Sequence, residues 1–247
     1  MLETFSITDI GEKRQLNQDF VFTSINKVGN LANVFIVADG MGGHKAGDYA
    51  SKFTVETIVE EMMKSKETDV DKVIADAILV ANYQLRIKAD ENKELDGMGT
   101  TVVVATIDNG VLHVANVGDS RLYLINQEIT QITIDHSLVE EMIRVGGLDR
   151  LSARTHPDKN IITRAIGAQS DVEADFFHRK LEPGDVVLMC TDGLTNMLED
   201  ETILQILKMD GSARVRAEQL VKAANSNGGR DNISVVLIES FEDEVER

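Results

Sequence analysis

Tryptophan is absent from this chain, proline occurs twice, cysteine once, and aromatic residues fill only 4% of its 247 positions. With the single thiol of Cys190, no disulfide can close within the chain. A thiolate zinc site is excluded as well, since it needs several cysteines or histidines at short spacing. Cys190 lies inside the apolar run VVLMC and is expected to pack as a small hydrophobe. The histidines, His44, His113, His136, His156 and His178, form no HxH or HxxxH grouping. No apolar stretch reaches the ~18 residues of a membrane span, and MLETFSITDIGEKR lacks the basic-then-apolar order of a signal peptide. A cytoplasmic protein without membrane insertion is expected. Basic residues are scarce too: 25 against 42 acidic ones give a formal charge of -17, so a nucleic acid or anionic bilayer would meet overall repulsion. What remains is aliphatic. A 43% apolar content over this length is enough for one large core built from Val, Ile, Leu and Met, and residues 1–247 are expected to form one domain.

The hydrophobic period changes along the chain. ETFSITDI alternates as a strand and VFIVA reads as a buried one. Val55, Ile58, Val59 and Met62, then Val73, Ala77, Val80, Ala81 and Leu85, recur at helical spacing and predict two long amphipathic helices side by side. From Gly99 the runs TTVVVATID, VLHVANVGD and SRLYLIN are short, β-branched and separated by turns, which predicts an antiparallel meander. Residues from about 137 to 161 leave this pattern: SLVEEMIRVGG has a short helical period and LDRLSARTHPDKN is polar, so an excursion from the sheet is expected. DVVLMCTDG returns to the core, ETILQILKM and ARVRAEQLVKAANSN read as helices, and NISVVLIES as a final strand. The class is α+β, with helices in consecutive pairs outside sheets. GMGGHKAG matches neither GxxxxGK[ST] nor GxGxxG, so nucleotide binding is not expected.

Five aspartates carry the chemistry: Asp19 in RQLNQD, Asp39 in VFIVADGMGGH, Asp119 in VANVGDS, Asp192 in VVLMCTDGL and Asp231 in GGRDN. Any one of them alone reads as a turn residue, because Asp-Gly is common in turns. An apolar run stands in front of nearly every one, however. Buried strands that deliver carboxylates to their ends can bring them to one point, and hard divalent cations take such oxygen ligands. Two of the five precede glycine, which lets the backbone turn sharply and bring a carbonyl close to an ion.

With these residues assembled, the chain resembles the type 2C, metal-dependent Ser/Thr protein phosphatases of the compact bacterial branch. The match runs through RxxNxD at Arg14 to Asp19, ADGMGGH ending at His44, GMGTT at Gly97 to Thr101 and VGDSR at Gly118 to Arg121. It continues through DHS at Asp135 to Ser137, NIITRAIG at Asn160 to Gly167, the second DG at Asp192, and GGRDNIS ending at Ser234. The resemblance implies a central antiparallel β-sandwich flanked by helix pairs, in αββα order, with a flap formed by the excursion at about 137–161. It implies two Mn²⁺ or Mg²⁺ ions: Asp39 bridging both, Asp19 and the carbonyl of Gly40 completing one or other shell, and Asp192 with Asp231 holding the second. Asp119 with Asp192 would hold a third, weaker ion. Two such ions about 3.5–4 Å apart lower the pKa of a shared water toward neutrality. No side-chain nucleophile is then needed, in keeping with the absence of a CxxxxxR loop and of DxDxT.

Arg14 would offer its planar fork to the phosphate; taken alone it reads as a surface arginine. Where many eukaryotic relatives have a histidine straight after the DG, this chain has Met41, which leaves His44 or metal-bound water as general acid. The acidic residue that precedes the first metal aspartate in those relatives is here Gln18. The implied partners are phosphorylated proteins and an opposing Ser/Thr kinase, met by a monomer. The alternatives are a catalytically silent metal-binding phospho-reader of the same fold and a metallohydrolase for small phosphoesters.

Overall fold

The computed structural model describes residues 2–43 and 46–240. The chain opens with strands β1 (Leu2–Asp9), β2 (Asp19–Ser24) and β3 (Val34–Met41), followed by helices α1 (Ala46–Lys64) and α2 (Val70–Glu91). A 3-10 turn at Lys93–Leu95 leads into β4 (Gly99–Thr100), β5 (Val102–Asp108), β6 (Val111–Val117), β7 (Arg121–Ile125) and β8 (Ile129–Gln131). Short helices α3 (Leu138–Arg144) and α4 (Arg150–Ala153) precede β9 (Asp175–Lys180) and β10 (Val186–Cys190). Then come α5 (Asp192–Thr195), α6 (Asp200–Leu207), α7 (Ala213–Ser226) and β11 (Ile233–Ser240).

The strands form two antiparallel sheets, one in the order β1-β11-β10-β7-β8 and the other β2-β3-β5-β6-β9, with β4 joined to β3. Strand alternation sorts their side chains. In β3, Phe35 and Val37 face the other sheet, while Val34, Ile36 and Ala38 face α1 and α2. In β10, Val187 and Met189 fill the sandwich, while Leu188 and Cys190 meet α6 and α7. Three apolar layers result, and the architecture is the expected αββα. Each fully buried aliphatic side chain in them is worth about 1.5–3 kcal/mol of transfer free energy. Cys190 is fully buried, as its apolar neighbours predict.

Two expectations change. SRLYLIN does not continue the meander: β5 pairs with β6, but β7 crosses to the other sheet and pairs with β10 and β8. The turn between β6 and β7 is therefore the crossing between sheets. The glycines after Asp39 and Asp192 do not serve a left-handed turn, since neither Gly40 nor Gly193 has positive φ. They serve close approach instead. A Cβ on Gly40 would overlap the carbonyl of Gly47 in the first turn of α1, and one on Gly193 would overlap the carbonyl of Asn232.

The excursion at 137–161 contains α3 and α4 and is closed at its base. Ser137 pairs with Ile162, Leu138 N donates to Ile161 O at 2.9 Å, and Thr163 N donates to His136 O at 2.8 Å. At its far side Arg154 donates to the carbonyls of Thr195 and Leu198, which ties it to the turn that follows Asp192.

Candidate active site

Strand direction brings the aspartates together. β3 and β6 both run antiparallel to β5, so they end at the same edge, with Asp39 in the last turnings of β3 and Asp119 just beyond β6. β2 runs antiparallel to β3, which sets its first residue, Asp19, directly opposite Asp39. In the other sheet β10 ends where β11 begins, so Asp192, the first residue of α5, faces Asp231, which leads into β11. The two halves join at Asp19. Its Oδ2 accepts hydrogen bonds from the Thr191 hydroxyl at 2.9 Å and the Ser234 hydroxyl at 2.7 Å, both from the opposite sheet.

The electrostatics of this end are those of crowded anions. Burial pushes the Asp39 carboxyl well above the usual range, and the charges of Asp19, Asp192, Asp119 and Asp231 add to the shift. Asp119 is also raised well above that range, by burial and then by the charge of Asp192. Asp19 is raised to about 7, again by burial first, with the hydroxyls of Ser234 and Thr191 holding it down and Asp192 and Asp231 pushing it up. Asp192 is raised to about 6 by burial and by Asp231.

The donor set fits hard divalent cations. Oδ1 of Asp19, of Asp119 and of Asp192 are each shut off from solvent and have no hydrogen-bond partner. Buried carboxylate oxygens in that condition cost several kcal/mol unless a proton or a cation satisfies them. Asn196 Nδ2 occupies the other oxygen of Asp192 at 2.8 Å, so the orphaned one is the oxygen left for a ligand.

Arg14 is at the rim. Its Nη2 donates to Asp231 Oδ2 at 2.6 Å, and its side chain is 47% exposed. It is thus paired with one of the expected metal ligands. His44 lies outside the described residues. Met41 closes β3 and pairs with Gly99 of β4.

Several residues beyond the aspartates hold the site, and most lie in the blocks quoted above, Asp175 and Asn196 being outside them. Thr191 and Ser234 were not singled out, although each stands close to an expected ligand. Asn232 stitches the loop that carries Arg14: its Oδ1 accepts from Gln18 N at 2.8 Å and its Nδ2 donates to the carbonyls of Ile10 and Leu16, each at 2.9 Å. VGDSR and DHS explain each other. Arg121 grips Asp135 through Nε and Nη2, the latter at 2.7 Å, and His136 Nδ1 accepts from Gly118 N at 3.0 Å. The second imidazole nitrogen then carries the proton and donates to Asp175 at 3.1 Å. Burial holds His136 below the ordinary histidine pKa, against the opposing hydrogen bond of Asp175. The turn that presents Asp119 is therefore clamped by a neutral imidazole.

A family model described as protein phosphatase 2C matches residues 11–225. The chain belongs to that family. It is a bacterial Ser/Thr protein phosphatase and hence a hydrolase, and the silent phospho-reader alternative finds no support. It is 39% identical over 250 residues to the protein phosphatase PhpP of Streptococcus pneumoniae, covering 99% of this chain and 100% of the relative. The crystal structure of the Ser/Thr phosphatase Stp1 from Staphylococcus aureus superposes with a TM-score of 0.91 at 35% identity, covering 98% of this chain and 96% of that one. The catalytic domain of the phosphatase PstP, described as in complex with 2 manganese ions, superposes at 0.86 and 30% identity, covering 98% and 99%. Among the described residues no helix is long and apolar enough to cross a membrane.

Proposed function

We propose that Asp19, Asp39, Asp192, Asp231 and the carbonyl of Gly40 hold two Mn²⁺ or Mg²⁺ ions, with a weaker third at Asp119 and Asp192, and that the phosphatase works through them on phosphoserine and phosphothreonine. The supporting observation is the convergence of five carboxylates from both sheets, three of them with a buried, unpartnered oxygen. When bound, such ions supply Lewis-acid charge and acidify water toward neutral pH.

The chain's own groups prepare the site. Thr191 and Ser234 fix one oxygen of Asp19, and Asn196 fixes one of Asp192, so that each carboxylate offers its free oxygen in a set direction. Arg14 stands where it can exchange Asp231 for the non-bridging oxygens of a phosphate, a bidentate target for a guanidinium. His136 has both ring nitrogens engaged and is not placed to protonate the leaving alkoxide. We assign that proton to the surroundings of Asp119, beside Asp192. A monomeric cytoplasmic enzyme that opposes a Ser/Thr kinase completes the proposal, and these finer points rest on the resemblance.

The decisive experiment is phosphate release from a phosphothreonine peptide by the purified protein, with Mn²⁺ and with excess chelator. Turnover should require the metal at roughly millimolar levels, since sites built on few carboxylates and many waters bind these ions weakly. Full turnover in chelator would overturn the metal mechanism.

A further inference from the structure

A second cluster of metal-ligating side chains lies away from the aspartates. β6 and β9 pair antiparallel with His113 opposite His178, on the face of the sheet that α2 covers. Asp71, in the first turn of α2, reaches down between them. Its Oδ1 lies 3.0 Å from His113 Nδ1, and its Oδ2 lies 2.8 Å from His178 Nε2. The two imidazoles meet edge to face with centroids 4.8 Å apart. One nitrogen from each histidine and one carboxylate oxygen all fall within 4.8 Å of one another.

We propose that Asp71, His113 and His178 form a further metal site for a divalent d-block cation of the zinc class, which staples the start of α2 to the edge of the sheet. Two imidazole nitrogens with one carboxylate oxygen are a donor set suited to zinc, whereas magnesium and manganese prefer oxygen alone. Chemistry thus separates this site from the aspartate cluster. Position does too, because His113 lies four residues before the end of β6 at Val117, roughly 13 Å along the strand at 3.3 Å per residue, and Asp119 lies beyond that end.

The geometry needs little change. A tetrahedral ion about 2.0–2.2 Å from each donor sets the donors about 3.3–3.5 Å apart. Oδ1 of Asp71 lies 3.0 Å from His113 Nδ1 and 3.1 Å from His178 Nε2, and both contacts would open by about 0.3–0.5 Å. The wider gap between the imidazole nitrogens closes by rotation of His178, whose side chain is 46% exposed. That exposure also leaves the fourth position to water.

The charges nearby are compatible. Burial acts against ionised Asp71, but the hydrogen bonds from His113 and His178 prevail and hold its carboxyl below the usual range. Lys72, the adjacent cation, is engaged with Glu67 at 2.6 Å, and Arg179 donates to the backbone carbonyl of His178 at 2.8 Å. The helix N-terminus opposes a cation by its dipole, an effect that the capping Asp69 offsets.

The test is calorimetric titration of Zn²⁺ into chelator-treated protein in the presence of excess Mg²⁺, which occupies oxygen-only sites. The wild type should bind one more equivalent of Zn²⁺ than His178→Ala, and Zn²⁺ should raise the unfolding temperature of the wild type more than that of the variant. Asp71→Asn keeps the size and one acceptor oxygen, so it serves if His178→Ala folds poorly, and it should weaken the same binding event at least tenfold. Equal Zn²⁺ stoichiometry and affinity in the wild type and the variants would overturn the proposal, as would a wild type that binds no Zn²⁺ under these conditions.

Discussion

Ser234→Ala is the perturbation that probes how the fold tunes the aspartate cluster proposed to hold metal. The hydroxyl donates to Asp19 Oδ2 at 2.7 Å in a buried setting, and it is the foremost of the hydrogen bonds that hold the Asp19 carboxyl down to about 7. A hydrogen bond to a charged group contributes about 1.5–3 kcal/mol, and one pKa unit corresponds to about 1.4 kcal/mol. Losing it should raise the Asp19 pKa in the metal-free protein by about one unit or more. Protons compete with the cation for this oxygen set, so the apparent metal affinity at pH 7 should fall by a factor of about (1 + 10)/(1 + 1), roughly fivefold. Well above pH 8 that competition vanishes and the variant should approach the wild type. The assay is Mg²⁺ activation of phosphopeptide hydrolysis from pH 6 to pH 9, with Ser234→Thr as the conservative rescue. A penalty of the same size at every pH would show that the hydroxyl acts by geometry alone, and the tuning argument would be wrong.

Arg14→Ala should raise KM for a phosphopeptide about tenfold with a smaller loss of kcat, and metal affinity should not fall, because the substitution removes the partner that competes for Asp231. An unchanged KM would remove Arg14 from phosphate binding. Asp119→Ala should lower kcat/KM more for a phosphothreonine peptide than for p-nitrophenyl phosphate, whose phenolate leaves without help; equal losses would mean general damage instead. In the metal-free protein Asp19 and Asp192 have folded pKa values of about 7 and about 6, above the unfolded carboxylate value, so the folded state binds more protons between roughly pH 4 and pH 7. Its stability should therefore fall as pH rises through that window, and the stabilisation by added Mg²⁺ should grow. Chemical denaturation at pH 5 and pH 7.5, with and without the ion, measures both, and a metal-free form more stable at pH 7.5 would contradict the raised values.

The sequence makes the long elements legible because their burial is one-sided and periodic. α1 and α2 bury Val55, Ile58, Met62, Val73, Ala77, Ala81 and Leu85 of the positions that the helical spacing selects, while Val59 and Val80 are only half-buried. β9 escapes such reading for a physical reason. It is an edge strand whose second half, His178, Arg179 and Lys180, is exposed and polar, so it carries no continuous alternation. The passage of β7 into the opposite sheet is equally silent, since VANVGDSRLYLIN would suit a hairpin as well. In the site, the carboxylates could be found from the apolar runs before them, but Thr191 and Ser234 could not be paired with Asp19, because that contact spans the sandwich. The His113 and His178 cluster shows the same limit: no spacing in the sequence brings together residues that meet only through strand register.

The placement of the aspartates also bears on why the cluster survives in a folded chain. Five carboxylates drawn together at partly buried positions would repel one another strongly if all were ionised, and the raised pKa values show that protons relieve part of that repulsion when no cation does. The framework around them is rigid where the repulsion acts. Asp39 and Asp19 are held opposite each other by strand pairing, Asp39 N donates to Thr101 Oγ1 at 3.0 Å, and Thr101 in turn meets Ser120 at 2.8 Å beside Asp119. Asp19 and Asp39 cannot part without breaking the hydrogen bonds that pair β2 with β3, whereas Asp119, Asp192 and Asp231 stand just outside their strands. A cation held among the aspartates, as proposed, would relieve the repulsion without separating Asp19 from Asp39, which is the condition under which carboxylates can be ready for metal before it arrives.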